Sequence, residues 1–123
     1  MILVRSRAPL RLGLAGGGTD LSPYCDRYGG STLTAAISLY AYATIKTLDE
    51  PVVRFVAIDQ KEEEVWPLKQ LFPLNRKLKL HSAVYNAIIR DFNGGKPLPL
   101  ELSTYSDVQA GSGLGSSSTL VVA

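Results

Sequence analysis

The chain has 123 residues, 13 Lys and Arg against 11 Asp and Glu, a formal charge of +2, and is 46% hydrophobic and 20% charged. That length and balance fit one globular domain with its own core, and exclude a disordered chain or one whose charge alone would draw it to nucleic acid or a membrane surface. One cysteine, Cys25, excludes an internal disulfide framework and a cysteine zinc cluster. No apolar run reaches the roughly 18–20 residues of a membrane span, and the N-terminus lacks a secretory h-region, so the expected location is cytoplasmic.

The first element is a strand. In "LRLGL" (10–14), Leu10, Leu12 and Leu14 alternate with Arg11 and Gly13, which predicts one apolar face. "GGGTDLSPYCDRYGG" interrupts it. Ser22–Pro23 reads as a hydroxyl cap followed by proline at the first helical position, and Gly29–Gly30 as a stop, giving a short helix over 23–28.

Residues 31–47, "STLTAAISLYAYATIKT", carry the clearest period. Leu33, Ala35, Ile37, Leu39, Ala41, Ala43 and Ile45 share one face; Thr32, Thr34, Ser38, Tyr40, Tyr42, Thr44 and Lys46 share the other. This is one long strand or two in series. "VVRFVAI" (52–58) is the expected antiparallel neighbour across the "DEP" turn, and "KEEE" (61–64) a solvated loop. The period then lengthens: Leu80, Val84, Ala87 and Ile88 form a helical stripe within 77–92, closed by "NGG" (93–95). His81 stands at the edge of that stripe, which suits a structural role. "PLPLELSTY" (97–105) returns to strand and leads into "AGSGLGSSST" (110–119), with "LVVA" as the start of a last helix. The fold class expected is α+β, a mostly antiparallel sheet with packed helices.

Two stretches carry chemistry. Gly111, Gly113 and Gly115 let the backbone turn sharply and bring N–H groups close to an anion, and Ser116, Ser117 and Ser118 offer hydroxyls to phosphate or a hard cation such as Mg²⁺. No lysine follows the last glycine, as a Walker loop requires, and the spacing is GxGxG where a dinucleotide turn has GxGxxG. A flexible linker is opposed by the apolar "LVVA" that follows. In "RAPLRLGLAGGGTD" (7–20), three bare residues precede Thr19 and Asp20. Asp20 either caps a turn or accepts sugar hydroxyls.

Together, and in this order, the stretches "APLRLGLAGGGTD" and "GSGLGSSS" resemble the GHMP small-molecule kinases. Within that family the segment "RSRAPLRLGLAGGGTDLSPYCDRYGG" looks most like D-glycero-D-manno-heptose phosphate kinases, with fucokinases near second. The resemblance implies a fold like the second domain of ribosomal protein S5, with residues 1–123 forming an incomplete N-terminal, ATP-binding domain. It implies that Gly111, Ser112, Gly113, Leu114, Gly115, Ser116 and Ser117 wrap the ATP phosphates, with Ser117 as magnesium ligand. Gly17, Gly18, Thr19 and Asp20 would hold the sugar or sugar phosphate, and Arg11 would face the reacting centre.

Family members run to about 300 residues or more. The resemblance therefore implies that the catalytic base and a closing domain lie beyond residue 123, that this chain alone lacks turnover, and that an uncovered sheet face favours self-association. No nucleic-acid or membrane partner is expected. Two other readings stay open: a non-catalytic S5-like nucleotide- or RNA-binding module, which would need a basic face, and a dehydrogenase fragment, which would need a parallel βαβ unit near 100–123.

Overall fold

The computed structural model describes all 123 residues. Its elements are β1 (Leu3–Ala15), α1 (Tyr24–Tyr28), β2 (Leu33–Thr47), β3 (Val52–Ala57), β4 (Glu62–Pro67), α2 (Lys79–Phe92), β5 (Leu100–Ser106) and α3 (Ser116–Val122). The five strands form one sheet in the order β1-β2-β5-β3-β4. Three of the pairings are antiparallel and one, β3 with β5, is parallel. α2 and α3 lie on the same face, so the architecture is a two-layer α+β unit.

The 31–47 period becomes one continuous strand, because its residues alternate between two faces without a break. Its neighbour differs from expectation. Residues 52–58 do not pair with β2; β5 lies between, antiparallel to β2 (Ile45 opposite Leu102) and parallel to β3 (Phe55 opposite Leu102). The turn at 48–51 keeps β2 and β3 close in sequence, but β5, with Leu102, Ser103, Thr104 and Ser106 all buried, gains more burial at the sheet centre than at an edge. The glutamates at 62–64 are also not loop. They form the edge strand β4, where Glu63 bonds Arg54 at 2.6 Å and Glu62 bonds Lys77 at 2.8 Å. Charge on an edge strand discourages pairing with other chains.

The core sits where α2 crosses β3 and β5. Val53, Phe55, Ala57 and Leu102 from the sheet meet Leu78, Tyr85 and Ile89 from the helix side, with Phe72 beneath. Phe72 stands edge-on to Tyr85 at 5.1 Å between centroids, an arrangement that aromatic quadrupoles favour. The Tyr85 hydroxyl donates to the Leu98 carbonyl and accepts from the Leu98 N–H, both at 2.9 Å, which fixes the approach to β5. Asn86 brackets Phe72 in the same way, bonding both its N–H and its carbonyl.

The stripe expected on α2 is displaced. His81, Ser82, Tyr85 and Ile89 face the core. Leu80, Val84 and Ile88 instead line a groove of about 280 Å³ shared with Ala43, Ile45 and Leu120. Two stripes exist because one side of α2 faces the aromatic core over β3 and β5 and another faces the groove toward α3. Leu12 and Leu14, expected to be covered, are 43% and 60% exposed, whereas Leu10 is fully buried. The register of β1 against β2 shifts after Pro9 and again after Gly13, so a single alternation does not run through the strand.

The short helix α1 starts one residue later than expected, with Pro23 at its N-cap and no side-chain cap; the Ser22 hydroxyl bonds Asp26 instead.

Candidate functional site

The two glycine-rich stretches, 90 residues apart in the chain, meet at the end of β1. The β1 strand carries Arg11 up to the 110–115 loop, where the Arg11 N–H donates to the Leu114 carbonyl at 3.3 Å. The Arg11 side chain lies along Gly115, whose added Cβ would come within 3.2 Å of its Nε. Gly111, Gly113 and Gly115 all have positive φ, +84°, +77° and +72°. Alternating positive φ turns successive N–H groups to one side and makes a concave anion cradle. Space over Gly111 and Gly113 is open, with nothing within 4 Å of an added Cβ. No side chain caps the first N–H groups of α3.

The loop stands as a partition between two cavities. On one side, about 370 Å³ is enclosed by Arg11, Gly13, Gly17, Gly18, Asp20, Thr32, Thr34, Gly113 and Gly115, with Ala15 and Leu21. On the other, about 140 Å³ is lined by Asp59 and Gln60 from the β3–β4 turn, by Lys77 to His81 at the start of α2, and by Ser116 and Ser117. Gly113 and Gly115 thus border the first space, and the serines that follow border the second.

Of the residues expected at a sugar site, Gly17, Gly18 and Asp20 line the larger cavity together with Arg11. Thr19 does not. Its hydroxyl donates to the Gly16 carbonyl at 2.7 Å and accepts from the Ser31 N–H at 3.1 Å, so it pins the two ends of the 16–31 loop. Gly30 makes that closure possible, since a Cβ there would lie 1.9 Å from the Thr19 carbonyl oxygen. Ser116 is buried and Ser117 exposed. Ser112 and Leu114 border neither cavity. The Ser112 N–H instead closes a turn onto the Gln109 carbonyl.

Sequence reasoning missed Thr32 and Thr34, which it took as the polar face of a strand, and Asp59, Gln60, Lys77 and Lys79. The latter four come as two pairs, one from the β3–β4 turn and one from the start of α2, so no local spacing could have brought the pairs together. Thr34 had a faint signal: it sits opposite Gly13 in the ladder, beside the glycine cluster. His81 takes the structural place expected of it. It is 5% exposed, its Nε2 lies 2.8 Å from the Thr104 hydroxyl, and burial pushes its pKa below the usual histidine range. No cluster of three or more His, Cys, Asp or Glu side chains could hold a metal ion by itself, and no helix is long and apolar enough to cross a membrane.

Comparison with known proteins bears on the fold that carries this site. Residues 79–123 match the family described as GHMP kinases N terminal domain. D-glycero-alpha-D-manno-heptose 7-phosphate kinase of Campylobacter jejuni is 46% identical over 122 residues, covering 99% of this chain and 36% of that protein. The crystal structure of a D-glycero-D-manno-heptose 1-phosphate kinase from Bacteroides thetaiotaomicron superposes with a TM-score of 0.88 at 45% identity, covering 98% of this chain and 39% of that one. A Streptococcus pneumoniae phosphomevalonate kinase in complex with phosphomevalonate and AMPPNP gives a TM-score of 0.66 at 26% identity, covering 99% of this chain and 34% of that one. The chain therefore has the GHMP kinase N-terminal fold and spans little more than a third of the length of these relatives.

Proposed function

We propose that residues 1–123 form the N-terminal, ATP-binding domain of a cytoplasmic sugar-phosphate kinase. The intact protein would transfer the γ-phosphoryl group of ATP to a hydroxyl of a heptose phosphate. The carrying observation is the partition: a glycine loop with two cavities on its two sides and Arg11 at the junction. The 46% identity to a heptose phosphate kinase supports the choice of acceptor.

In this reading the nucleotide enters from the Lys77–Lys79 side, and the backbone of Gly111 to Ser117 wraps its phosphates. The acceptor lies in the larger cavity, where Asp20 accepts its hydroxyl protons in hydrogen bonds. An acceptor oxygen attacks the γ-phosphorus, the bond to the β-phosphate oxygen breaks, ADP leaves, and the hydroxyl proton passes to a general base. Charge spreads over the transferring group, and Arg11 offers a fixed cation to it from the side. Mg²⁺ would neutralise phosphate charge, and it is commonly held by one or two carboxylates plus phosphate. The exposed Ser117 hydroxyl would add an oxygen ligand in the cavity that Asp59 also lines.

The test is ADP release by the intact protein over a panel of sugar phosphates with Mg·ATP. Turnover with a heptose phosphate is expected, and Ser117→Ala should raise the Mg²⁺ concentration needed for half-maximal rate. An intact, folded protein that consumes ATP with no sugar or sugar phosphate would refute the reading.

A further inference from the structure

The larger cavity has a floor as well as walls. Arg11 and Gly13 alternate on β1, so their side-chain positions share one sheet face; Ala15, past a register shift, lines the same cavity, and Gly13 stands directly opposite Thr34 on β2. Gly13 is not needed for backbone reasons, since its φ is not in the left-handed region. Nor is it needed for packing, because a Cβ there would meet nothing within 4 Å. A strand interior pays an entropic penalty for glycine, so a residue with neither backbone nor packing need marks space kept free for something outside the chain. Thr34 and Thr32 are exposed beside that space. The Thr19 hydroxyl, assigned to the sugar from sequence, is occupied by the loop closure.

We propose that Gly13 and Thr34, with Thr32 beside them, form the acceptor platform: the polyol ring lies over Gly13, and the threonine hydroxyls bond ring hydroxyls on the side opposite Asp20. The proposal rests on the kinase reading and deepens it. Aldose-type acceptors carry hydroxyls on both faces. A carboxylate on one wall and two neutral hydroxyls on another discriminate among their configurations, because each unmatched polar group would be left unbonded. Gly13 sets the height available above the floor, which makes it a size-selecting position. Arg11, on the same row, keeps the reacting end of the ring toward the glycine loop.

The experiment uses the intact protein and steady-state kinetics in both substrates, with the parent measured first. Gly13→Val should leave the thermal unfolding temperature unchanged or slightly raised, because valine suits a strand and its Cβ meets nothing within 4 Å. It should raise the acceptor KM about tenfold or more while the ATP KM stays within about twofold. Thr34→Val should raise the acceptor KM about tenfold, as expected for a lost hydrogen bond, and Thr34→Ser should recover most of it. A merely structural threonine would not show that rescue with an unmoved ATP KM. If the parent turns over and both valine variants keep its acceptor KM, the platform is refuted while the kinase reading stands. If the parent phosphorylates no sugar, both fall.

Discussion

The Arg11 side chain rests against Gly115, the last glycine of the 111–115 loop, and the Arg11 N–H is bonded to the Leu114 carbonyl beside it. A Cβ at 115 would press on the Arg11 Nε at 3.2 Å, so the guanidinium must give way slightly. Gly115→Ala should therefore cost about 1–2 kcal/mol for a left-handed φ and also weaken ATP binding about tenfold through Arg11. Gly113→Ala carries the same kind of backbone penalty but meets nothing within 4 Å. Urea unfolding should show similar losses for the two variants, and calorimetric ATP titration should separate them, with Gly115→Ala the weaker binder. Equal ATP affinities would detach Arg11 from the nucleotide.

Asp20→Asn removes a carboxylate from the wall of the larger cavity and leaves a side chain of nearly the same shape. Losing a charge-assisted hydrogen bond commonly costs about 1.5–3 kcal/mol, or about ten- to a hundredfold. That loss should appear in kcat/KM for the acceptor, with ATP affinity unchanged. An unaltered acceptor kcat/KM would leave Asp20 as a turn residue.

The loop closure at Thr19 gives a stability prediction. A Cβ at Gly30 would collide with backbone, 1.9 Å from the Thr19 oxygen, so the chain itself must move. Gly30→Ala should lose more than about 2 kcal/mol in urea unfolding, in the range of strain at a special backbone site. Gly17→Ala, with open space around it, should stay within about 1 kcal/mol of the parent.

His81 makes stability depend on pH. Burial lowers its pKa from 6.5, so the folded chain holds its proton less tightly than the unfolded chain does. Its neutral form supports the fold fully above about pH 6.5, and that contribution fades as pH falls below this toward the folded pKa. The urea midpoint should drop between about pH 7 and about pH 5, and His81→Gln should flatten that slope. A slope identical to the parent's would assign the acid sensitivity to other groups.

Much of this structure was written locally in the chain. The alternation of Leu33 to Ile45 gives β2 its extent, and the spacing of Gly111, Gly113 and Gly115 gives the loop its positive φ angles. The failures have a common cause, in that each needed a partner distant in sequence. β3 was assigned to β2 by the short turn, but the burial won by β5 decides the order. Leu80, Val84 and Ile88 were read as the core stripe, yet a helix with two apolar faces shows one period for both, and only the packed layers say which is which. Glu62 to Glu64 had no strand signal of their own; their pairing with Arg54, Lys77 and β3 supplies it. Thr19 and Thr34 are chemically alike, and only the position of Ser31 tells which hydroxyl is already engaged.

The insertion of β5 between β2 and β3 sets a schedule for the chain as it leaves the ribosome. The β1–β2 and β3–β4 pairs are each complete once residue 67 has emerged, but nothing joins them until residues 100–106 follow. At synthesis rates of about 5–20 residues per second, that gap lasts about 2–8 s. Through it the inner edges of β2 and β3 stand unpaired, each a template for a foreign strand. The nascent protein is thus most in need of a holding chaperone when four of its five strands have already emerged.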